Sequence, residues 1–251
     1  MSYPILEYDS SVEAIIEPSQ LRKPLPHAEF CVITFFPEIV EKVKSEFNTF
    51  KVGAFMRDLG DHPLYQIEYQ GKRVGFYSSG VGAPLAAYFL EQAIACGYTK
   101  FVACGGAGVL KSDIQMGKII IPAAAIRDEG TSYHYYPPSR EIQIPKEHID
   151  ALAQELERQG VEYMIGKTWT TDAPFRETKP KIDKRKQEGC LTVEMECSAL
   201  AAVCQFRKVK FAQYLYGADD VSGAKWDHRG WTKAEAREKL FWASVNACLK
   251  L

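Results

Sequence analysis

The stretch Leu191–Asp220, LTVEMECSALAAVCQFRKVKFAQYLYGADD, constrains the fold more than any other part of the chain. Two glutamates flank a methionine, a helix-like run follows, then the apolar run Lys210–Tyr216, then Gly217-Ala218-Asp219-Asp220. A short apolar run of that kind reads as a buried, central strand. Such a strand needs helices packed against its sheet. The unit therefore sets carboxylates at both ends of a buried αβ scaffold.

The same alternation runs through the rest of the chain. Glu29–Phe35 reads as a buried strand and Pro37–Phe47 as a helix opened by its proline. Leu64–Tyr69 and Arg73–Ser78, joined through Gly71, read as a hairpin. Pro84 opens a helix that Gly97 ends. Lys100–Cys104 reads as a short strand ending in a turn at Gly105-Gly106-Ala107-Gly108. Ile119–Pro122 reads as a strand, Arg127–Ser139 as a long polar-aromatic loop, and His148–Gln159 as a helix. Tyr163–Thr171 reads as a strand, Lys179–Glu188 as a charged surface helix, and Lys233–Leu251 as the last helix.

This pattern predicts a single α/β domain over residues 29–251, preceded by an extended arm over residues 1–28 that carries Pro4, Pro18, Pro24 and Pro26. Ligands of such sheets bind beyond the carboxyl ends of the strands. Three stretches meet that description: the glycines after Cys104, Thr171-Asp172, and Gly217–Asp220.

Composition excludes several functions. With 31 basic against 32 acidic residues the net charge is −1, which gives no footprint for nucleic acid or an anionic membrane. The longest apolar runs are too short for a membrane span, and the N-terminus has no basic region of a secretory signal. Seven cysteines, none in a C-x-x-C, read as free buried thiols of a cytoplasmic protein. No His/Cys/Asp cluster has metal-ligand spacing, and no organic cofactor motif is present.

Spacing alone leaves the chemistry open. SSGVGAP and ACGGAG are glycine-rich segments whose N–H groups suit an anion, or are structural turns. Glu194 and Glu196 are paired carboxylates at a helix mouth, or decoration of its first turn. Asp219 and Asp220 offer a general acid, or an Asx turn. Phe175 and Arg176 offer a stack and hydrogen bonds to a planar ring, or an ordinary loop.

Taken together, SSGVGAP, RDEGTSYHYYPPS, and VEMECSALA with GADD one strand later resemble the nucleoside phosphorylase family of uridine and purine nucleoside phosphorylases. The match covers most of the chain from Ala28 onward. The resemblance implies a mixed, barrel-like central β-sheet flanked by helices, in a homodimer or homohexamer. It implies that Glu196 holds the sugar hydroxyls, Met195 packs on the sugar and Glu194 supports the segment. It implies that Asp219 protonates the leaving base, Phe175 stacks on it and Arg176 reads it. The uridine enzymes lack that aspartate, so a purine nucleoside is expected.

The phosphate end departs from the family. The glycine-and-arginine segment expected after the first strand is replaced by Phe35-Phe36-Pro37-Glu38-Ile39. Gly105 and Gly106 remain as backbone donors, and Arg57, Arg73 and Arg127 as substitute cations. His134 is the histidine of interest, because the family's subunit-lent histidine has no counterpart near the N-terminus. Three readings follow: a phosphorylase with phosphate as co-substrate, a nucleosidase of the same fold using water, and a non-catalytic nucleoside-binding or storage protein.

Overall fold

The computed structural model describes residues 3–57, 60–229 and 234–251. The arm contains a single-turn helix α1 (Pro18–Leu21) and docks through Leu25 N–H on Cys96 O at 2.8 Å. Then come β1 (Phe30–Thr34), α2 (Pro37–Glu46), β2 (Thr49–Arg57), β3 (Gly60–Tyr69), β4 (Lys72–Ser78) and α3 (Ala83–Ala95). They are followed by β5 (Lys100–Val109), β6 (Ile119–Asp128), β7 (Glu141–Gln143), α4 (Lys146–Arg158) and β8 (Tyr163–Thr171). The chain ends with α5 (Lys179–Gln187), β9 (Cys190–Glu194), α6 (Cys197–Arg207), β10 (Lys210–Asp220) and α7 (Ala234–Cys248). Lys233, the expected start of the last helix, lies outside the described residues.

β10 pairs with both β6 and β5, so the order β10-β6-β8-β9-β5 closes on itself as a five-stranded barrel. From β5 the sheet continues outward as the wing β1-β4-β3-β2, and β7 adds to β6. Three parallel pairs (β10–β5, β6–β8, β8–β9) and two antiparallel pairs (β10–β6, β5–β9) make up the ring, so the sheet is mixed as expected. Closure removes the edge that an open sheet would leave at β10.

Closure also explains a misreading. The glycines after Cys104 form no turn; β5 runs straight through them to Val109. β5 pairs with β1 as far as Thr34↔Cys104, then leaves β1 and pairs with β9 at Gly108↔Val193. A side chain at Gly105 would meet Phe35 at 3.0 Å, at Gly106 Ala218 and Tyr216 at 3.3 Å, and at Gly108 Val193 at 3.1 Å. The glycines are needed for close approach while the strand changes neighbours. GADD is likewise no turn. It is the end of β10, with a bulge between Gly217 and Asp219 and the register Asp219↔Gly108.

Other elements differ by degree. β8 has the bounds expected, whereas β6 runs on through Arg127 to Asp128. β2 and β7 carry no clean alternation and were not expected. α5 is not wholly on the surface, because Ile182 and Arg185 are buried, with Arg185 lying over the Trp169 ring at 5.2 Å. All seven cysteines are buried thiols.

The large core lies between the sheet and helices α2, α3, α4, α6 and α7. Gly75 on β4 is a sensitive point in it: an added Cβ would lie 2.5 Å from the Tyr98 ring, which is buried and accepts a hydrogen bond from Gln66. Gly75→Ala is expected to destabilise the fold by about 1–3 kcal/mol through overpacking, read as a lower urea midpoint with an unchanged m value.

Candidate active site

The site is built on the junction of β9 and α6. Glu194 ends β9 and is buried. One of its oxygens accepts the N–H groups of Glu196 and Cys197 at 2.8 and 2.7 Å, and the other accepts the Thr170 hydroxyl at 2.6 Å. It therefore caps the first turn of α6, where the helix N-terminus favours a negative charge. The Ser198 N–H bonds Thr170 Oγ1 at 3.0 Å, and the Ser198 hydroxyl donates to Glu129 at 2.9 Å. Glu129 also accepts the N–H groups of Thr131 and Ser132 at 2.6 and 3.0 Å, tying the aromatic loop to the same helix mouth. Sequence reading missed Thr170, Ser198 and Glu129, which come from three distant segments.

Glu196 is also buried, and Gly82 N–H donates to its Oε1 at 2.6 Å. Gly82 has φ = 102°, a conformation that disfavours any side chain, and it immediately precedes α3. The turn SSGVGAP thus presents its backbone to Glu196. Met195, between the two glutamates, is half-buried. Burial pushes both carboxyls above their ordinary range, and the charge of Glu194 raises Glu196 further. Glu194, with its three donors, is the better placed of the two to carry the negative charge.

The second cluster stands two strands away, across β5. Gly108 on β5 is the register partner of Val193 on β9 and of Asp219 on β10. Two strand spacings therefore separate the Glu194 segment from Asp219, about 10 Å. Asp219 accepts the Trp226 indole N–H at 2.7 Å. Glu177, half-buried after the Pro174–Arg176 turn, is pushed up to about 7 by burial and then by the Asp219 charge. Sequence reading passed over Glu177; its only signal was proximity to Phe175 and Arg176. Those two are themselves exposed, Phe175 to 98%. Asp220 is engaged elsewhere, accepting Arg229 at 2.6 Å and Ser222 N–H at 2.7 Å.

The corner expected to hold phosphate is packed with rings. Gly105 lies against Phe35 and Gly106 against Tyr216. Phe36 and Tyr216 are 5.9 Å apart, and the Arg237 guanidinium lies 4.9 Å over Phe36. Arg237 donates to the Tyr216 hydroxyl at 3.0 Å and to Glu38 at 2.6 Å. It brings to this corner a cation that sequence reading did not foresee, because α7 lies far along the chain.

The other arginines considered are placed elsewhere. Arg127 spends its guanidinium inside the aromatic loop, on Ser132, Ser139 and the carbonyls of Tyr136 and Pro137. Arg73 sits on the hairpin with Glu68, over the Phe50 ring. The Arg57 side chain lies outside the described residues. A groove of about 930 Å³ is lined by arm residues together with Pro84, Gly130, His134 and Asp172, and neither Glu194 nor Glu196 lines it.

A family model described as the phosphorylase superfamily matches residues 29–248. The chain belongs to the phosphorylase superfamily. It is 32% identical over 155 residues to a uridine phosphorylase of Thermococcus kodakarensis, covering 60% of this chain and 53% of the relative. It is 26% identical over 149 residues to a guanosine phosphorylase of Halorubrum lacusprofundi, covering 58% and 60%. The matched segment thus spans little more than half of these relatives. Among solved structures, a uridine phosphorylase of Vibrio fischeri superposes with a TM-score of 0.76 at 22% identity, covering 91% of this chain and 98% of that one. A purine nucleoside phosphorylase of Toxoplasma gondii in complex with immucillin-H gives 0.77 at 18%, covering 89% and 92%. These two likenesses establish the fold, and the expected barrel-like architecture holds.

Glu196 provides a pH test. Its carboxyl is raised above the ordinary value of 4.5, so its contribution to stability is complete below that value and is lost as pH rises through its folded range. Glu196→Gln keeps an acceptor for Gly82 N–H without the buried charge. The variant is expected to match wild type near pH 4 to 5 and to exceed it by about 1 kcal/mol or more near pH 8, measured by denaturant unfolding at each pH. A variant less stable than wild type at pH 8 would show that the charge is needed by the fold itself.

Proposed function

We propose that this protein is a nucleoside phosphorylase that cleaves the N-glycosidic bond of a purine nucleoside to free base and ribose 1-phosphate. The observation that carries this reading is the placement of a buried Glu196 just past the end of β9 and of Asp219 on β10, the two strands that flank Gly108, with Glu177 beside Asp219. Cleavage at the anomeric carbon develops positive charge on the sugar and negative charge on the departing base. Glu196 meets the first need through the ribose hydroxyls, with Met195 against the sugar and Glu194 holding the segment. Asp219 meets the second by protonating the base, beside a Glu177 carboxyl whose proton affinity is raised by burial and by the Asp219 charge. Phe175 and Arg176 close over the base from their exposed turn. The nucleophile enters past Gly105 and Gly106, and Arg237 brings a cation to that corner through Phe36 and Tyr216.

A homodimer or homohexamer suits the apolar side chains that the arm exposes at Val12, Ile15 and Ile16. A cytoplasmic location suits seven buried thiols. Among the described residues no helix is long and apolar enough to cross a membrane.

The ring-packed corner favours a second reading, a nucleosidase in which water takes the place of phosphate. Arg237 is already paired with Glu38 there, which lowers its value to a dianion. A nucleoside panel assayed with and without phosphate separates the two by release of free base. Cleavage that requires phosphate is expected, whereas equal rates without it identify the hydrolase. Binding without cleavage identifies a storage or sensor protein.

Asp219→Asn is expected to lower purine turnover by about 10² to 10⁴. Asp220→Asn, which loosens the Arg229 pair, is expected to act mainly on stability. Equal losses of turnover would remove Asp219 from the acid role.

A further inference from the structure

We infer that Trp226 is a positioning residue for base protonation, held over Asp219 by a clamped loop. The inference rests on the purine-cleavage reading above. The indole N–H reaches Asp219 Oδ2 at 2.7 Å, and the other oxygen, Oδ1, faces the Gly108 side of β10. Trp226 is not carried there by a regular element. It sits in the loop after β10, which is closed by reciprocal backbone bonds between Asp220 and Asp227 at 2.8 and 3.0 Å.

That loop is pinned from three sides. Asp220 accepts Ser222 N–H and the Arg229 guanidinium. Arg229 reaches across to the Ile114 carbonyl of the barrel at 2.8 Å. Lys186 on α5 donates to the Ser222 carbonyl at 2.8 Å. The His228 ring packs edge-on to the indole, 5.9 Å between centroids. The two adjacent aspartates thus divide the work: Asp220 builds the loop, and Asp219 receives the donor that the loop delivers. A donor fixed in advance costs no reorganisation when charge develops on its acceptor.

The step it serves is a proton transfer. The Asp219 O–H bond breaks and its proton passes to a purine ring nitrogen as the C1′–N9 bond breaks. The electron pair of that bond stays on the base, which departs neutral, and an oxygen of phosphate bonds to C1′. Asp219 is left as a carboxylate, and the Trp226 hydrogen bond strengthens at that moment. The indole is neutral and stabilises the new charge through one hydrogen bond. It is also 58% exposed, so an incoming base covers it and excludes water from the bond.

The test uses a leaving group that needs no proton. An N7-methylated purine nucleoside carries a positive base and departs without an acid. Trp226→Phe keeps an aromatic ring in the loop and removes the N–H together with part of the indole. With an unmodified purine nucleoside, kcat of the variant is expected to fall about ten- to a hundredfold, with KM changed by no more than about twofold. With the N7-methylated substrate, kcat is expected to stay within about twofold of wild type. An equal loss on both substrates would make Trp226 a merely structural part of the loop, and no loss on either would make it irrelevant; both results overturn the inference. An unfolding midpoint equal to wild type keeps a folding defect apart from these results. Wild type that cleaves neither nucleoside overturns the purine-cleavage reading itself, and the role of Trp226 with it.

Discussion

The buried carboxylate of Glu194 is the interaction on which the site depends. Its bonds among the described residues come from three donors, the Thr170 hydroxyl and two N–H groups at the start of α6. A buried charge is costly unless it is hydrogen-bonded in full, and a helix N-terminus is one of the few places that supplies the bonds. Fixing Glu194 fixes the start of α6, which fixes Glu196, which receives the Gly82 N–H. The junction of β9 and α6 and the end of β8 are therefore locked together by Glu194, and Glu196 adds the mouth of α3. The aromatic loop joins them through Ser198 and Glu129.

Much of this frame was legible in the chain. The apolar runs of β1, β8 and β10 and the amphipathic runs of α2 and α4 follow from burial periodicity, which local sequence carries. The importance of the Glu194–Glu196 segment was legible only through resemblance, since spacing left it between function and decoration. The glycines of β5 were misread because a glycine cluster signals a turn when backbone freedom is the reason for it. Here the reason is steric: Phe35, Tyr216 and Val193 stand where Cβ atoms would be. That reason exists only once three distant strands have met. Gly217–Asp220 was misread as a turn for the same cause, since β10 continues as a strand only because β5 runs alongside it.

Long-range side-chain partnerships were the least legible part. Arg127 looked available for an anion because arginines usually are, yet the loop around it consumes its guanidinium. Arg237 was overlooked because it lies on the last helix, and nothing local says that it will stand over Phe36. Glu177 was overlooked because its raised proton affinity comes from burial and from Asp219, across more than forty positions of sequence.

The shared register of Gly108 with Val193 and Asp219 has a consequence for how such an enzyme diverges. In the proposed reading, the span between sugar grip and acid is set by the backbone of one strand, a rigid gauge that surface substitutions do not alter. A nucleoside also has a fixed covalent reach from ribose to base. Gauge and ligand therefore match whichever base is attached, and preference among bases is left to parts outside the barrel: the exposed turn at Phe175, the clamped loop at Trp226, and Glu177. Selection can rework those parts one at a time, changing which base is accepted while the sugar continues to be held in the same way.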